Sequence, residues 1–333
     1  MTYDFKEKIT YKQYCNFIEK QKGLSYMQEE EWAHVKNNKN HMIVAAVKDN
    51  EVCALAHILI KKKILGFEFY IPNGFIMDFT NKKLLSFFSN SISKLALEKK
   101  AYVINMYPNI DKSNPNSIEI NKNLLNLNYK YKNKYLDKST NILIPINKFK
   151  NIDESLYLKK GIYFEKSSNI YDIERLNNII LDDYFKPELV KSLMDNFGKR
   201  VSFIFAKLDL VFYENYLLEN HLTSEINKIQ ELLQISDEID IGCAIILEPF
   251  SKNNEVCEYL YNTEKESFEH LGVTNGMLNL ALKYCNKKKY KYLKVSNINL
   301  NKKIFIDEFK GKQINYIGNY KLIINKLVNA INK

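Results

Sequence analysis

No stretch of the 333 residues approaches the roughly 18 consecutive apolar residues that cross a bilayer as a helix, so no membrane span is expected. The opening Met1-Thr2-Tyr3-Asp4-Phe5-Lys6-Glu7 carries acids and aromatics without an apolar core. No signal peptide is therefore expected, and a cytoplasmic protein is the expectation. Cysteine is sparse. Cys15, Cys53, Cys243, Cys257 and Cys285 are scattered, odd in number and form no Cys-x-x-Cys pair, which argues against a disulfide framework and against a zinc site. Reduced core thiols are expected instead. His34, His41, His57, His221 and His270 are equally dispersed, with no His-Glu-x-x-His spacing, so no metal is expected either.

What is present is charge and apolar pattern. A formal net charge of +10 favours an anionic partner: nucleic acid, a phosphorylated metabolite or an acidic membrane face. An AT-rich genome, whose codons favour lysine and asparagine, gives the same excess. The clusters Lys61-Lys62-Lys63 and Lys287-Lys288-Lys289 thus read equally well as solvated loops. The length suits about two domains.

In the first half, Met42–Val47 and Val52–Ile60 read as two short apolar strands around a polar turn, and Phe67–Ile71 as a third. Leu84, Leu85, Phe88, Ile92, Leu95 and Ala96 recur at helical spacing, and Tyr102–Tyr107 returns to strand character before Pro108. The second half repeats this order: Val201–Ala206, Ile241–Leu247 and Val256–Tyr261 as strands, a helix from about Thr274, then Tyr292–Val295. Two copies of one unit predict a mixed α/β protein of duplicated domains, residues 1–150 and 151–333. An insertion at about 208–238 carries Leu217, Leu218, Ile226, Ile229, Leu232 and Leu233 at helical spacing.

Two segments stand out: Ser25-Tyr26-Met27-Gln28, followed by Trp32 and Lys36, and Tyr70-Ile71-Pro72-Asn73-Gly74-Phe75-Ile76-Met77-Asp78. Together they resemble the Fem family of peptidoglycan-bridge aminoacyltransferases, whose members carry a serine-x-x-glutamine…tryptophan…lysine opening and a tyrosine-x-proline-x-glycine-x-x-x-aspartate segment. The likeness continues through Val103–Ile110, Ile241–Tyr261, Tyr290–Leu293 and Phe309-Lys310 to Tyr316–Tyr320. It implies two N-acetyltransferase-like (GNAT-like) domains with a cleft between or within them. The short insertion resembles the members that lack a long helical arm.

The resemblance also implies a reaction: an amino acid passes from aminoacyl-tRNA to the stem peptide of a UDP-linked or lipid-linked muramyl-pentapeptide, with no cofactor. Peripheral membrane contact would go with a lipid-linked acceptor. Aminolysis of an activated ester needs positioning and charge stabilisation more than a strong base. Carried over by motif, Lys310 beside Phe309 would steady the oxyanion, and Lys36 would meet the precursor's diphosphate. Tyr70, Asp78, Tyr107 and Tyr261 are expected at strand ends, lining a peptide site. The family's arginine before the helix at 188–196 is replaced by Phe185, leaving Lys186 as the phosphate contact. Each has a plainer reading: a surface lysine for Lys310, a helix-terminal cation for Lys36, a helix cap for Asp78, structural tyrosines for the rest. The alternatives are an acyl-CoA-dependent N-acyltransferase, disfavoured because neither helix start supplies a Gly-rich phosphate loop, and a diverged relative that only binds the precursor.

Overall fold

The computed structural model describes residues 2–36, 40–132, 141–149, 151–179, 186–251, 253–296 and 306–332. The chain divides into two compact units that are interleaved in sequence. The first comprises 1–138, 249–254 and 314–333; the second comprises 139–248 and 255–313.

Unit 1 is built on strands β1 (Asp4–Lys6), β2 (His41–Lys48), β3 (Glu51–Lys62), β4 (Phe67–Ile71), β5 (Ala101–Met106) and β6 (Lys130–Lys132). A last strand from far down the chain, Asn319–Ile323, enters between β5 and β6. Its register, Tyr320 opposite Met106 and Ile323 opposite Val103, is antiparallel. The β4–β5 pair is parallel, and the helix Lys82–Glu98 makes the crossover between them. That helix forms because Leu84, Leu85, Phe88, Ile92, Leu95 and Ala96 make one apolar stripe and because Asn81 caps it, its side chain accepting from Leu84 N at 3.1 Å. The stripe packs onto Ala54, Ala56, Phe69, Ile71 and Ile104. On the opposite face of β3, Leu55 meets Tyr14, Ile18 and Ile76, as the two-residue period of a strand requires. The stretch 249–254 joins this face: Phe250 lies edge-on to Tyr14, and Asn254 Nδ2 donates to Leu24 O at 2.8 Å.

Unit 2 repeats the plan. It contains β7 (Asn141–Pro145), β8 (Ile162–Ser167), β9 (Val201–Asp209), β10 (Glu238–Leu247), β11 (Val256–Glu264), β12 (Tyr292–Val295) and β13 (Lys312–Ile314), so Asn319–Ile323 is β14. The sheet order is β13-β7-β12-β11-β10-β9-β8. Again the β11–β12 pair is parallel and bridged by a helix, Val273–Lys287, whose Met277, Leu278, Ala281 and Leu282 face Ala244, Ile246 and Tyr259 in the core. The insertion forms two helices, Leu210–Glu219 and Ile226–Leu233, which bury Tyr213, Leu217 and Ile229 in that core.

The expected strands therefore form, but a cut between 150 and 151 does not follow the pairing. β7 pairs with β12, and β14 pairs with β5 and β6, so each sheet draws a strand from the other side of such a cut.

Candidate functional site

The two segments singled out in the sequence are joined in space. Ser25 and Gln28 form a capping box at the start of the short helix Tyr26–Gln28, Gln28 Oε1 accepting from Ser25 N at 3.2 Å. The same Gln28 amide donates to Asn73 O at 3.0 Å, and Asn73 Nδ2 donates to Ser25 Oγ at 2.7 Å. Asn73 sits at φ 54 and Gly74 at φ 80, both in the left-handed region. Asparagine tolerates that region better than most residues that carry a side chain, and its short amide reaches Ser25. Asn109 N then donates to Asn73 O at 3.0 Å, tying in the end of β5.

Gly74 is fixed by contact as well as by φ, since a Cβ there would lie 2.8 Å from Pro108 Cα. Gly74→Ala is expected to destabilise unit 1 by about 2–4 kcal/mol, from left-handed strain plus overpacking against backbone. Gly23→Ala, at φ +67 but facing open space, should lose only about 1 kcal/mol, the strain alone. Paired denaturation curves for the two variants check this, and equal losses would refute the contact argument.

The knot holds two of the expected residues together. Tyr70 and Tyr107, at the carboxyl ends of the parallel β4 and β5, stand edge to face with centroids 5.2 Å apart, both half-buried. Lys61 Nζ lies 4.2 Å from the Tyr70 ring centroid. Lys36 follows the helix Glu31–Val35 as its C-cap and sits 4.8 Å over the Trp32 ring. Trp32 itself is buried against Tyr26. Asp78 does not cap the following helix. Its Oδ1 accepts from Thr80 N at 2.9 Å and from Thr80 Oγ1 at 2.6 Å, and Asn81 is the cap.

The other four expected residues lie in unit 2. Lys186 is exposed and precedes the helix Pro187–Phe197 as its N-cap. Phe185 lies outside the described residues. Tyr261 differs from the expectation: it is inside β11 and buried, two residues past the last β11–β12 pair, Tyr259 with Val295. A bulge shifts the register from Ile245–Tyr261 to Ile246–Tyr259, which turns the strand at this point. Phe309 is an anchor in the unit 2 core, 1% exposed. Lys310 beside it is exposed, at φ 56, and its ammonium has no hydrogen-bond or ion-pair partner among the described residues.

Neither crossover helix offers its first turn to a pyrophosphate. Asn81 occupies Leu84 N in unit 1, and in unit 2 the Glu264 carboxylate accepts from Thr274 N at 3.3 Å. Burial pushes that carboxyl above the usual range. A second acid, Glu258, is enclosed with Lys294 at 3.2 Å, and burial raises its pKa while the ammonium pulls it back.

Histidines far apart in sequence meet in unit 1, which their spacing did not disclose. The rings of His34, His41 and His57 form a row with successive centroids 5.1 and 5.5 Å apart. Burial is the main force pushing His57 down to about 3, with His41 next; the carbonyls of Met27 and Glu29 oppose this weakly, and neither His57 nitrogen is in hydrogen-bond geometry.

Residues 9–139 match the FemAB family model. A lipid II:glycine glycyltransferase of Staphylococcus aureus is 28% identical over 159 residues, 44% of this chain and 37% of the relative. The match thus spans little more than a third of that protein's length. The crystal structure of FemX superposes with a TM-score of 0.77 over 99% of both chains at 18% identity. A tandem GNAT protein from the clavulanic acid biosynthesis pathway gives 0.59 over 97% of this chain and 99% of its own, at 6% identity. These likenesses bear out the expected duplicated GNAT-like fold. No helix among the described residues is long and apolar enough to cross a membrane. The serine-x-x-glutamine segment bonded onto the proline-x-glycine turn lies inside the region that is similar to the FemAB family.

Proposed function

We propose that this protein transfers an amino acid from aminoacyl-tRNA to a side-chain amine in the stem peptide of a peptidoglycan precursor, as one step of cross-bridge synthesis. The observation that carries this reading is the hydrogen-bonded union of Ser25, Gln28, Asn73 and Gly74 at the ends of the two parallel strands that carry the Tyr70–Tyr107 pair. The acceptor amine attacks the ester carbonyl, a C–N bond forms, and the C–O bond to the terminal ribose breaks. The amine's proton leaves with the ribose oxygen. Lys310 supplies positive charge to the tetrahedral oxyanion, at about 3 Å when the ester is seated. Lys36 and Lys186 serve as phosphate contacts, and Tyr70, Tyr107, Asp78 and Tyr261 as peptide or wall contacts.

A lipid-linked acceptor is favoured over a soluble one by an exposed corner of unit 1. Ile64, 87% exposed, and Leu65 form the tip of the β3–β4 hairpin directly after Lys61, Lys62 and Lys63. Asn332 Nδ2 donates to Leu65 O at 2.7 Å, bringing exposed Leu327 and Ile331 of the last helix alongside. Apolar side chains beside a run of lysines suit an anionic lipid surface. The protein is expected to sediment with phosphatidylglycerol vesicles and not with phosphatidylcholine ones. Replacing both Ile64 and Leu65 with aspartate should weaken vesicle binding roughly tenfold or more; undiminished binding would remove this corner from the account.

The function itself is tested by incubating the protein with a mixed pool of charged tRNA and with soluble or lipid-linked muramyl-pentapeptide. Product that requires charging supports the proposal and names the amino acid and acceptor together. A folded protein that binds precursor but yields no product in any combination refutes it in favour of a binding role.

A further inference from the structure

The histidine row of unit 1 is used by nothing in the proposed transfer. Glu30 is the N-cap of the helix Glu31–Val35 and His34 lies one turn on, so both side chains project from one short element. That element is held in place by buried Trp32, Ala33 and Val35. His41 opens β2, two residues from the Ile43–His57 pair across to β3. One potential ligand atom each from Glu30, His34 and His41 all lie within 4.8 Å of one another.

The same corner concentrates orphaned polar atoms. His41 Nδ1 and both ring nitrogens of His57 are buried without a hydrogen-bond partner, three of nine such side-chain atoms among the described residues. Buried polar atoms are rarely left so, and their clustering in one row of imidazoles points to a ligand there. His34 is exposed, giving an ion access from solvent.

We propose that Glu30, His34 and His41 form a binding site for a divalent transition metal of the zinc class, with water completing the coordination. Two imidazoles and one carboxylate suit zinc or cobalt and exclude the all-oxygen preference of magnesium and calcium. Such an ion would clamp the helix that leads to Lys36 onto the edge of β2. The dispersal of the three residues in the sequence hides the arrangement, which depends on the helix and β2 folding side by side.

The test is zinc titration of the chelator-stripped full chain against a competing colorimetric chelator, with cobalt absorption and the thermal midpoint read in parallel. The expected result is one equivalent bound at micromolar affinity or tighter, a cobalt d–d band without thiolate charge transfer, and a midpoint raised by zinc but not by magnesium. His34→Asn, at an exposed position, and Glu30→Gln should each weaken zinc about tenfold or more; His41→Asn should do the same if it folds. No zinc uptake by the wild-type chain at these concentrations, or uptake unchanged in His34→Asn, overturns the site. None of these readouts depends on aminoacyl transfer.

Discussion

Replacing Lys310 with alanine is expected to lower kcat for aminoacyl transfer by about 10²–10³ while the KM for precursor stays nearly constant, the effect of removing one oxyanion-stabilising charge. The ester carbonyl bears little charge in the ground state and nearly a full one in the tetrahedral intermediate, so the ammonium acts mainly there. The local structure suits this role: Phe309 is locked in the core, Gly311 is buried, and the lysine between them is pushed outward. Arginine should recover only part of the rate, since its planar fork does not replace a compact point charge. A second consequence separates function from stability. Lys310 adopts φ 56, so Lys310→Gly should gain about 1 kcal/mol of stability while being as inactive as the alanine variant. Wild-type kcat in a folded Lys310→Ala protein would end the catalytic assignment.

The largest expected stability loss is at Lys294. This lysine on β12 and Glu258 on β11 face each other at 3.2 Å, with side chains 10% and 6% exposed, and Glu258 Oε2 has no hydrogen-bond partner among the described residues. Lys294→Met removes the positive charge and leaves a buried carboxylate, which should destabilise unit 2 by about 3–5 kcal/mol at neutral pH. Lys294→Met combined with Glu258→Gln should recover most of that loss, because neither charge then remains to be desolvated. The pH dependence has a fixed sign. Glu258 has a folded pKa raised above its ordinary value of 4.5, so its protonated form is favoured by folding. Stability from this group is full below the unfolded pKa and is lost as pH rises through the folded one. The single variant's deficit should therefore shrink in acid, while the double variant stays flat in this respect. Equal deficits in single and double variants across pH would show that the pair is not what the core depends on.

Much of each unit's centre was legible from pattern. Phe67–Ile71 forms β4 with the same bounds, and the 84–96 stripe lies inside the helix Lys82–Glu98, because alternation and 3.6-residue spacing are local properties. The edges were not legible. β14 follows directly from the tyrosine-x-glycine close at Tyr316–Gly318, and nothing in its own residues says that it pairs with β5, some two hundred positions away. At the candidate site, Tyr70 and Tyr107 were legible because each ends a strand before a proline-containing turn. Tyr261 was misplaced because β11 runs on to Glu264 past its parallel partner, a continuation set by the sheet and its bulge. The plainer reading of Asp78 as a helix cap fails because its bond to Thr80, two residues on, depends on the turn's geometry. The row of His34, His41 and His57 exists only once β2 and β3 pair.

The late arrival of β14 has a consequence for how this chain is made. On the ribosome, β1 to β5 emerge early, yet the flank of β5 that β14 will cover stays open until residues 319–323 have been synthesised. The uncovered strand, Ala101–Met106, is almost wholly apolar and buried in the finished fold, so the nascent chain presents a sticky sheet edge for most of its synthesis. All the strands of unit 2, β7 to β13, are synthesised before β14. The sheet of unit 1 is thus completed last, and transplanting 1–150 between relatives would part β5 from the strand that covers its flank.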